Sequence, residues 1–574
     1  MSEIDGGELL VRMLERAGIR EVFTLHDGHL DCVFMAARDH GIRVIDTRHE
    51  QAAAHAADGW ARTTGKPGVA LVAAGPGLTD AVTGVANAFV DAVPMLVISG
   101  GAPLCDAEML QLQSGFDQVA LMTPITKWSH RITHTERIPD LVAQALRIAT
   151  TGRPGPVYLE IPVDVIYARV DEQRAFFPER IGPDAAPAPT NEAVQTAIEW
   201  LETAERPVIV AGGGAWFSGG AAELRAFAER TKIPVFSNGK AHGVLPADHP
   251  LCGRSVFNLA ILNSMGAGKP DLALVLGARM GMFVGGRSGV MIPRTARLIQ
   301  VDIEAEEIGR NRDVGLGIVA DCRETLRALD AAAADRKWPE RSEWVAAARQ
   351  AAQAHRAMFG EALASEKAPI HPYAMVDAVV QTVDRNAVVV ADGGETSVWT
   401  EMACQVYEAG HWLSHGYLAC LGAGMPFAIA AQVAHPDRRV VCMVGDGSVG
   451  LNFAEFDTMV RHGLPIVVVV NNDQQWGMSA HGQDIIYGPG RRVATDLAAT
   501  RYDLAAAAFG CHPEHVVEPA ELIPALERAF ASGKPACVNV MTDPSVISPI
   551  TTALVQGAAA QGMAGDGKQT SYLP

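Results

Sequence analysis

The chain has 574 residues, which is too long for one hydrophobic core and predicts about three domains of ordinary size. Its formal net charge of −18 is spread along the chain, which argues against nucleic acid as a partner. No apolar run approaches the length of a membrane span, and the acidic start Met1–Asp5 does not resemble a secretory signal. The nine cysteines contain no Cys-x-x-Cys pair, so we expect a reduced, cytoplasmic protein without membrane contact.

The first 180 residues alternate between predicted helices and strands. Apolar residues at helical spacing within 6–20 predict a helix, and the short strand after it ends in a polar loop that contains His29. A second strand ends just before Glu50, which opens an Ala-rich helix. Further strands are predicted at 69–73, 95–99 and 157–161. This alternation predicts a first α/β domain over residues 1–180.

A Pro- and Ala-rich linker at 183–189 precedes a second α/β domain over residues 190–330. Strands are predicted at 207–210, 235–236, 272–276 and 298–301. The turn Gly212-Gly213-Gly214 resembles a dinucleotide site but lacks the full G-x-G-x-x-G spacing, so a structural turn is favoured. Whether this domain binds a nucleotide stays open at this point.

The third domain is predicted over residues 365–545, after a charged, Ala-rich helical connector. It contains a helix at 372–383 and strands at 387–391, 439–444 and 536–541. Residues 546–574 shift to Ala, Gly, Gln and Ser and are interpreted either as a lid-like tail or as plain disorder. The expected fold class is therefore α/β, with three doubly wound parallel-sheet domains.

Two motifs in the third domain point to a phosphate and a divalent cation. Gly445-Asp446-Gly447 follows an apolar, β-branched strand, and Asn472-Asp473 follows the next apolar run after 24 residues. One strand-helix-strand unit of that length brings both motifs to the same sheet edge, where ligands bind in open α/β sheets. Carboxylate oxygens there suit Mg²⁺ bridged to a diphosphate. The alternative is an ordinary unit in which Gly-Asp-Gly is only a turn.

This pair of motifs resembles the signature of the thiamine-diphosphate-dependent enzymes. The order of three domains, with the cofactor motif in the third, resembles the pyruvate oxidase and acetolactate synthase group over essentially the whole chain to about residue 545. The resemblance implies a pyrimidine-binding, a central and a diphosphate-binding domain, with thiamine diphosphate and Mg²⁺ as cofactors. The family usually carries Asn-Asn where this chain has Asn472-Asp473, which adds one negative charge.

The resemblance also implies the residues that hold the cofactors. Mg²⁺ would be bound by Asp446, by Asp473 and by a backbone carbonyl near Gln475. Glu50 would stand beside N1′ of the aminopyrimidine, Leu421 would support the bent cofactor, and the carbonyl of Ala419 would accept from its 4′-amino group. The remaining residues implied for cofactor binding are Gly394, Glu395, Gly445, Gly447, Ser448, Trp476 and Gly477.

At the substrate end the chain is similar to the benzaldehyde lyases, through the segments around His29, Glu50 and 112–128. By that resemblance His29 is the general acid and base, and Gln113 holds a polar substrate or water. The chemistry agrees, because cleavage of a 2-hydroxy ketone requires a base for the hydroxyl proton and imidazole titrates in a suitable range. Val163, Ser397, Met478 and Gly482 depart from the lyase pattern, so an aromatic substrate is not carried over.

The expected function is a carbon–carbon lyase or carboligase that cleaves or forms 2-hydroxy ketones from aldehydes, with Glu50, His29 and Gln113 as catalytic residues. Two alternatives are a 2-hydroxyacyl-CoA lyase or oxalyl-CoA decarboxylase-like enzyme and an acetolactate-synthase-like carboligase. A catalytically idle regulatory subunit of the same fold is a fourth interpretation, against which Glu50, Asp446 and Asp473 argue. The resemblance further implies a homotetramer with active sites between subunits.

Overall fold

The computed structural model describes residues 3–106, 108–553 and 555. The chain divides into two compact units. The first comprises Met1–Ala354 and Val406–Ala434, and the second comprises His355–Gln405 and His435–Pro574. Within the described ranges, no helix is both long and apolar enough to cross a membrane. Most of the predicted tail, 546–574, lies outside the described residues.

The first unit opens with a sheet whose strands are all parallel. Its elements, with a small flanking strand pair, are β1 (Glu3–Asp5), β2 (Glu21–Thr24), β3 (Arg43–Asp46), β4 (Gly68–Val72), β5 (Met95–Gly101), β6 (Ser129–Arg131), β7 (Pro156–Pro162) and β8 (Arg169–Asp171), and α1 (Gly6–Arg16), α2 (Asp31–Asp39), α3 (Glu50–Thr64), α4 (Pro76–Val90), α5 (Gln118–Met122), α6 (Ile138–Thr150) and α7 (Val163–Ile166). The sheet order is β3-β2-β4-β5-β7-β6, and β1 pairs antiparallel with β8. Strands β4, β5 and β7 are buried along their whole length, as expected when helices cover both faces.

A second parallel sheet follows in the same unit. Its elements are β9 (Pro207–Ala211), β10 (Val235–Ser237), β11 (Cys252–Ser255), β12 (Leu272–Leu276), β13 (Arg297–Asp302) and β14 (Leu316–Val319), and α8 (Asn191–Thr203), α9 (Gly213–Phe217), α10 (Ala221–Thr231), α11 (Asn258–Ser264), α12 (Cys322–Ala333) and α13 (Ser342–Met358). The order is β11-β10-β9-β12-β13-β14.

The Gly212–Gly214 turn packs against the turn that follows β12. Gly212 N donates to Leu276 O at 2.9 Å, and Gly214 N donates to Gly277 O at 3.0 Å. A Cβ on Gly212 would lie 2.4 Å from Ala278 Cβ. The close approach of two backbones therefore accounts for these glycines as a structural turn.

The second unit is built around the third parallel sheet. The remaining elements of the chain are β15 (Val388–Ala391), β16 (Trp412–Ser414), β17 (Val440–Gly445), β18 (Val467–Asn472), β19 (His512–Val516) and β20 (Ala536–Met541), and α14 (Gly360–Leu363), α15 (Pro372–Thr382), α16 (Gly394–Ala403), α17 (Gly424–Ala434), α18 (Asp446–Leu451), α19 (Glu455–Arg461), α20 (Gly477–Tyr487), α21 (Tyr502–Ala507) and α22 (Leu522–Ala531). Within the second unit the order is β15-β17-β18-β20-β19, all parallel. The predicted fold class, three doubly wound parallel sheets, is confirmed.

The crossover between β17 and β18 differs from the single helix that the sequence suggests. It consists of two short helices, α18 and α19, because Asn452 leaves the helical conformation with φ of −129°. Phe456 and Met459 are fully buried, whereas Phe453 is half-buried and contacts Phe456 edge-on. The break lets α18 carry Asp446 and Ser448 at the strand end while α19 packs on the sheet.

Candidate active site

The carboxyl ends of β17 and β18 bring two predicted metal ligands together. The strands are parallel neighbours, with Gly445 opposite Asn471. Asp446 follows β17 directly and Asp473 follows β18 directly, so both carboxylates lie at one edge of the sheet. The structure therefore places the two motifs as their spacing predicts.

Asp446 has a buried oxygen that needs a partner. The residue is 2% exposed, and its Oδ1 accepts from Gly447 N at 2.8 Å. Among the described residues, Asp446 Oδ2 has no hydrogen-bond partner. Burial raises the pKa of Asp446, and the nearby Asp473 carboxylate raises it further. The buried Asp446 carboxylate and the half-buried Asp473 carboxylate fit a divalent cation, which would supply the missing positive charge.

Glycines on both sides of this pair permit close approach of two loops. A Cβ on Gly447 would lie 2.6 Å from the Trp476 ring, and a Cβ on Gly477 would lie 2.7 Å from Asp473 Oδ2. Larger residues at either position would displace the turn that carries Asp473. The close packing of the loops that carry Asp446 and Asp473 therefore depends on Gly447 and Gly477.

The other residues predicted to hold the diphosphate surround the same strand end. Gly445 N donates to Ser448 Oγ at 3.0 Å, and that hydroxyl donates back to Gly445 O at 3.1 Å. Gly394 opens α16 and packs against Met478, whose Cβ would be 3.0 Å from a Cβ at this position. The buried Glu395 side chain pairs with His481, so any contact of Glu395 with a cofactor would come from its backbone.

The Gln475 side chain is fixed by hydrogen bonds within the second unit. Its Oε1 accepts from Arg492, and its Nε2 donates to Pro544 O at 2.8 Å and faces Asp473 Oδ2 at 3.2 Å. The amide oxygen is thus engaged, which leaves the backbone carbonyl as the group that this turn can offer to a metal. His481 and Pro544 were missed from the sequence, because no local pattern links either residue to the motif.

In the first unit, Glu50 occupies the start of α3. It is 8% exposed, and a Cβ on Gly77 would lie 2.6 Å from Glu50 Oε1, so the Gly-Pro-Gly turn leaves room for the carboxyl group. Burial raises the pKa of Glu50. The raised pKa makes this carboxyl group a better proton donor partner than an exposed glutamate, which agrees with its predicted role beside an aminopyrimidine.

His29 and Asp27 form a second titratable pair in the first unit, at the loop after β2. His29 Nδ1 lies 3.2 Å from Asp27 Oδ1, outside good hydrogen-bond geometry, and the carboxylate raises the pKa of His29. Asp27 is itself fixed by Ala74 N, which donates to Oδ2 at 3.2 Å. The His29 side chain is 20% exposed, whereas that of His26 is 71% exposed and pairs with Asp31.

Gln113 lies against the turn that follows β4. Its φ is +61°, and a Cβ on Gly75 would lie 3.0 Å from Gln113 Cα. The buried Gln118, which the sequence did not single out, ties the strand ends together: Gly75 N donates to its Oε1 at 2.8 Å, and its Nε2 donates to Gly100 O at 3.1 Å. Glu50, His29 and Gln113 are thus all placed around the ends of β2, β4 and β5.

The segment predicted to support the cofactor is anchored on Asp91. Tyr417 N donates to Asp91 Oδ1 at 3.1 Å, and Arg62 and Lys240 lie 2.9 and 3.4 Å from Oδ2. Beyond this anchor Ala419 is exposed with φ of +55°, and Leu421 is half-buried. Both residues are accessible within their own unit.

These features define a class: a three-sheet α/β protein with two carboxylates at one sheet edge of the second unit and a buried glutamate, Glu50, at a sheet edge of the first. Three family models match the chain: Thiamine pyrophosphate enzyme, N-terminal TPP binding domain, over 4–121; its central domain, over 194–329; and its C-terminal TPP binding domain, over 392–540.

Curated relatives match along nearly the whole chain. The acetolactate synthase large subunit IlvG of Mycobacterium tuberculosis is 37% identical, over 95% of this chain and 96% of the relative. A 2-hydroxyacyl-CoA lyase of Arabidopsis thaliana is 32% identical, over 94% and 96%. The human 2-hydroxyacyl-CoA lyase 2 is 30% identical, over 93% and 90%. The chain belongs to the thiamine pyrophosphate enzyme family.

Proposed function

We propose that the protein is a thiamine-diphosphate- and Mg²⁺-dependent lyase or carboligase that cleaves or forms the carbon–carbon bond of a 2-hydroxycarbonyl compound. The observation that carries the proposal is the Asp27–His29 pair, which lies at the same sheet edge as the buried Glu50. Bond cleavage next to a hydroxyl-bearing carbon requires a base for that hydroxyl. His29 offers an imidazole whose charge the Asp27 carboxylate stabilises.

Each set of residues has a distinct task in this proposal. Thiamine diphosphate would supply, when bound, a carbon nucleophile for the carbonyl carbon and a cationic ring that takes up the electron pair of the broken bond. Asp446, Asp473 and the Gln475 backbone hold Mg²⁺ and thereby the diphosphate. Glu50 exchanges a proton with the aminopyrimidine through its buried carboxyl group. His29 takes the substrate hydroxyl proton during cleavage and returns it during bond formation.

The relatives suggest the substrate class. Their names denote a synthase of acetolactate and lyases of 2-hydroxyacyl-CoA, and both compounds carry a hydroxyl group next to a carbonyl group. These two substrate classes have the support of the relatives, whereas simple acyloins of the benzaldehyde lyase type rest on the similarity around His29 and Gln113. The His29 imidazole suits a substrate that carries a free hydroxyl group, so a 2-hydroxyacyl thioester is the first candidate. The 37% identity to acetolactate synthase favours carboligation of a 2-oxo acid as the second.

The experiment that tests the function is a substrate panel on the holoenzyme. Purified protein with thiamine diphosphate and Mg²⁺ is given pyruvate, a 2-hydroxyacyl-CoA, benzoin and an aliphatic acyloin in separate reactions. Aldehyde, CO₂ and acetolactate are then quantified. Aldehyde release from the thioester supports the first candidate, and acetolactate from pyruvate alone supports the second. Turnover of none of the four by protein with bound cofactor refutes the proposal.

We also propose that the protein is a homotetramer whose active sites combine Glu50 of one subunit with Asp446 of another. Mixing inactive Glu50→Gln and Asp446→Ala subunits tests this arrangement. Random reassortment makes half of the dimers hybrid, each with one intact site of two, so activity should return to about a quarter of wild type. No recovery after proven subunit exchange would contradict sites between subunits.

A further inference from the structure

The chain beyond β20 returns to the turn that carries Asp473. Two donors converge on the carbonyl of Pro544: Gln475 Nε2 at 2.8 Å and His481 Nε2 at 2.9 Å. Gln475 is 3% exposed and His481 is 1% exposed. Because a carbonyl oxygen has two lone pairs, this contact is saturated and shielded from water.

The donors can be assigned from their other partners. Arg492 only donates, and it donates to Gln475 Oε1, so the amide nitrogen of Gln475 must face Pro544 and Asp473. His481 Nδ1 lies 3.0 Å from Glu395 Oε2. The Pro544 carbonyl can only accept, so His481 Nε2 donates to it, and Nδ1 faces the Glu395 carboxylate.

Glu395 extends the contact further along the chain. Its second oxygen, Oε1, accepts from Ser548 N at 3.4 Å. Ser548 is fully buried, and its Oγ accepts from Thr551 N at 3.0 Å, which caps the helical turn that follows. Near the end of the described residues, Val555 is buried, 3.8 Å from where a Cβ on Gly482 would lie.

Together Gln475, His481 and Glu395 with Pro544 and Ser548 form what we call the C-terminal clasp. We infer that this clasp couples metal and diphosphate binding at Asp446 and Asp473 to the docking of residues 544–553. A metal held by Asp473 and the Gln475 backbone would fix the turn that positions the Gln475 amide. His481 acts as a positioning residue that joins α16, α20 and the chain after β20. The inference rests on the proposed Mg²⁺ and thiamine diphosphate site.

Hydrogen exchange on the full-length protein tests the coupling without any substrate. Exchange of the amides in 544–553 is followed by mass spectrometry with and without thiamine diphosphate and Mg²⁺. The bound cofactors should slow exchange of this segment in wild type. His481→Asn keeps a donor toward Glu395 but removes the one toward Pro544, so it should reduce that protection about tenfold. His512→Asn is the control, because the His512 imidazole pairs with Glu514 elsewhere in the same unit. This substitution should leave the protection of 544–553 unchanged.

The reciprocal measurement uses a residue that is not a predicted metal ligand. Ser548→Ala removes the cap of the docked segment, and linkage requires that affinity for Mg²⁺ with thiamine diphosphate fall with it, by about fivefold. Thermal melting verifies that His481→Asn and Ser548→Ala fold, and His481→Gln provides a second variant with a donor toward Pro544. The coupling is wrong if hydrogen exchange of this segment in wild type is the same with and without the cofactors. It is also wrong if folded Ser548→Ala binds Mg²⁺ and thiamine diphosphate as tightly as wild type. These measurements do not depend on turnover, so a negative result would contradict the coupling without contradicting the proposed function.

Discussion

Asp473→Asn replaces the added carboxylate by the amide that the resemblance implies at this position. In the wild-type protein without metal, burial and Asp473 together raise the pKa of Asp446 to about 8, so the pair keeps a proton near neutral pH. Mg²⁺ must displace that proton. Its affinity should therefore rise with pH, about tenfold per unit for one proton, from near pH 6 until the pair is ionised near pH 8.

The substitution removes the repulsion but not the burial. The pKa of Asp446 should fall toward its ordinary range, and the pH window of Mg²⁺ affinity should move to lower pH. At about pH 8, Asp473→Asn should bind Mg²⁺ more weakly than wild type because an anionic ligand is lost, and the gap should narrow as the pH falls.

Titration of Mg²⁺ into protein with excess thiamine diphosphate measures this slope, with tryptophan fluorescence as the signal, at half-unit steps between about pH 6 and 8. The cofactor's own titration is common to both proteins and cancels in the comparison. Asp457→Asn is the matched control, because that carboxylate pairs with Arg461 on the outer face of α19. Equal slopes in wild type and Asp473→Asn would refute the account of the buried pair.

Further predictions concern the catalytic groups, the cradle and the metal. Glu50→Gln should lower turnover by about 10²-fold or more while binding of cofactor, measured by calorimetry, stays within a few fold. Activity should rise with pH through the raised pKa of His29, since the base must be neutral, and Asp27→Asn should move that limb of the kcat/KM profile to lower pH. A limb that does not move would remove His29 from the proton relay. Gly447→Ala and Gly477→Ala should weaken cofactor binding at least tenfold, because each Cβ would lie under 3 Å from Trp476 or Asp473; Gly463→Ala, at an exposed turn, is the control for general destabilisation. Chelation of Mg²⁺ should abolish turnover, and Mn²⁺ should restore it.

The sequence predicted the buried strands well because they are continuous apolar runs. β4, β12 and β17 were located within a residue or two, since Val, Ile and Leu are favoured where helices cover both faces. Two edge strands were missed: β11 reads Cys-Gly-Arg-Ser and β19 reads His-Pro-Glu-His-Val, so neither shows an apolar period. Their pairing is imposed by the neighbouring strand rather than by their own composition.

In the candidate site, too, some residues were predicted from the sequence and others were not. Asp446 and Asp473 were found because the end of a parallel strand fixes where the next residue lies. The partners of the predicted residues were not found: Asp27 for His29, Gln118 for the Gly75 turn, and His481 for Glu395. The last two contacts join residues 43 and 86 positions apart, which only folding brings together. Their roles in catalysis stay predictions.

The central claim is tested most directly by aldehyde release from a 2-hydroxyacyl-CoA, with acetolactate formation from pyruvate measured in parallel, in wild type and His29→Ala. The account predicts turnover that requires thiamine diphosphate and Mg²⁺ and that falls by about 10²-fold in His29→Ala, whose cofactor affinity stays unchanged. Cofactor-loaded wild-type protein that converts none of the 2-hydroxycarbonyl or 2-oxo acid substrates would contradict the claim. So would cleavage of the 2-hydroxyacyl-CoA that proceeds equally well without His29.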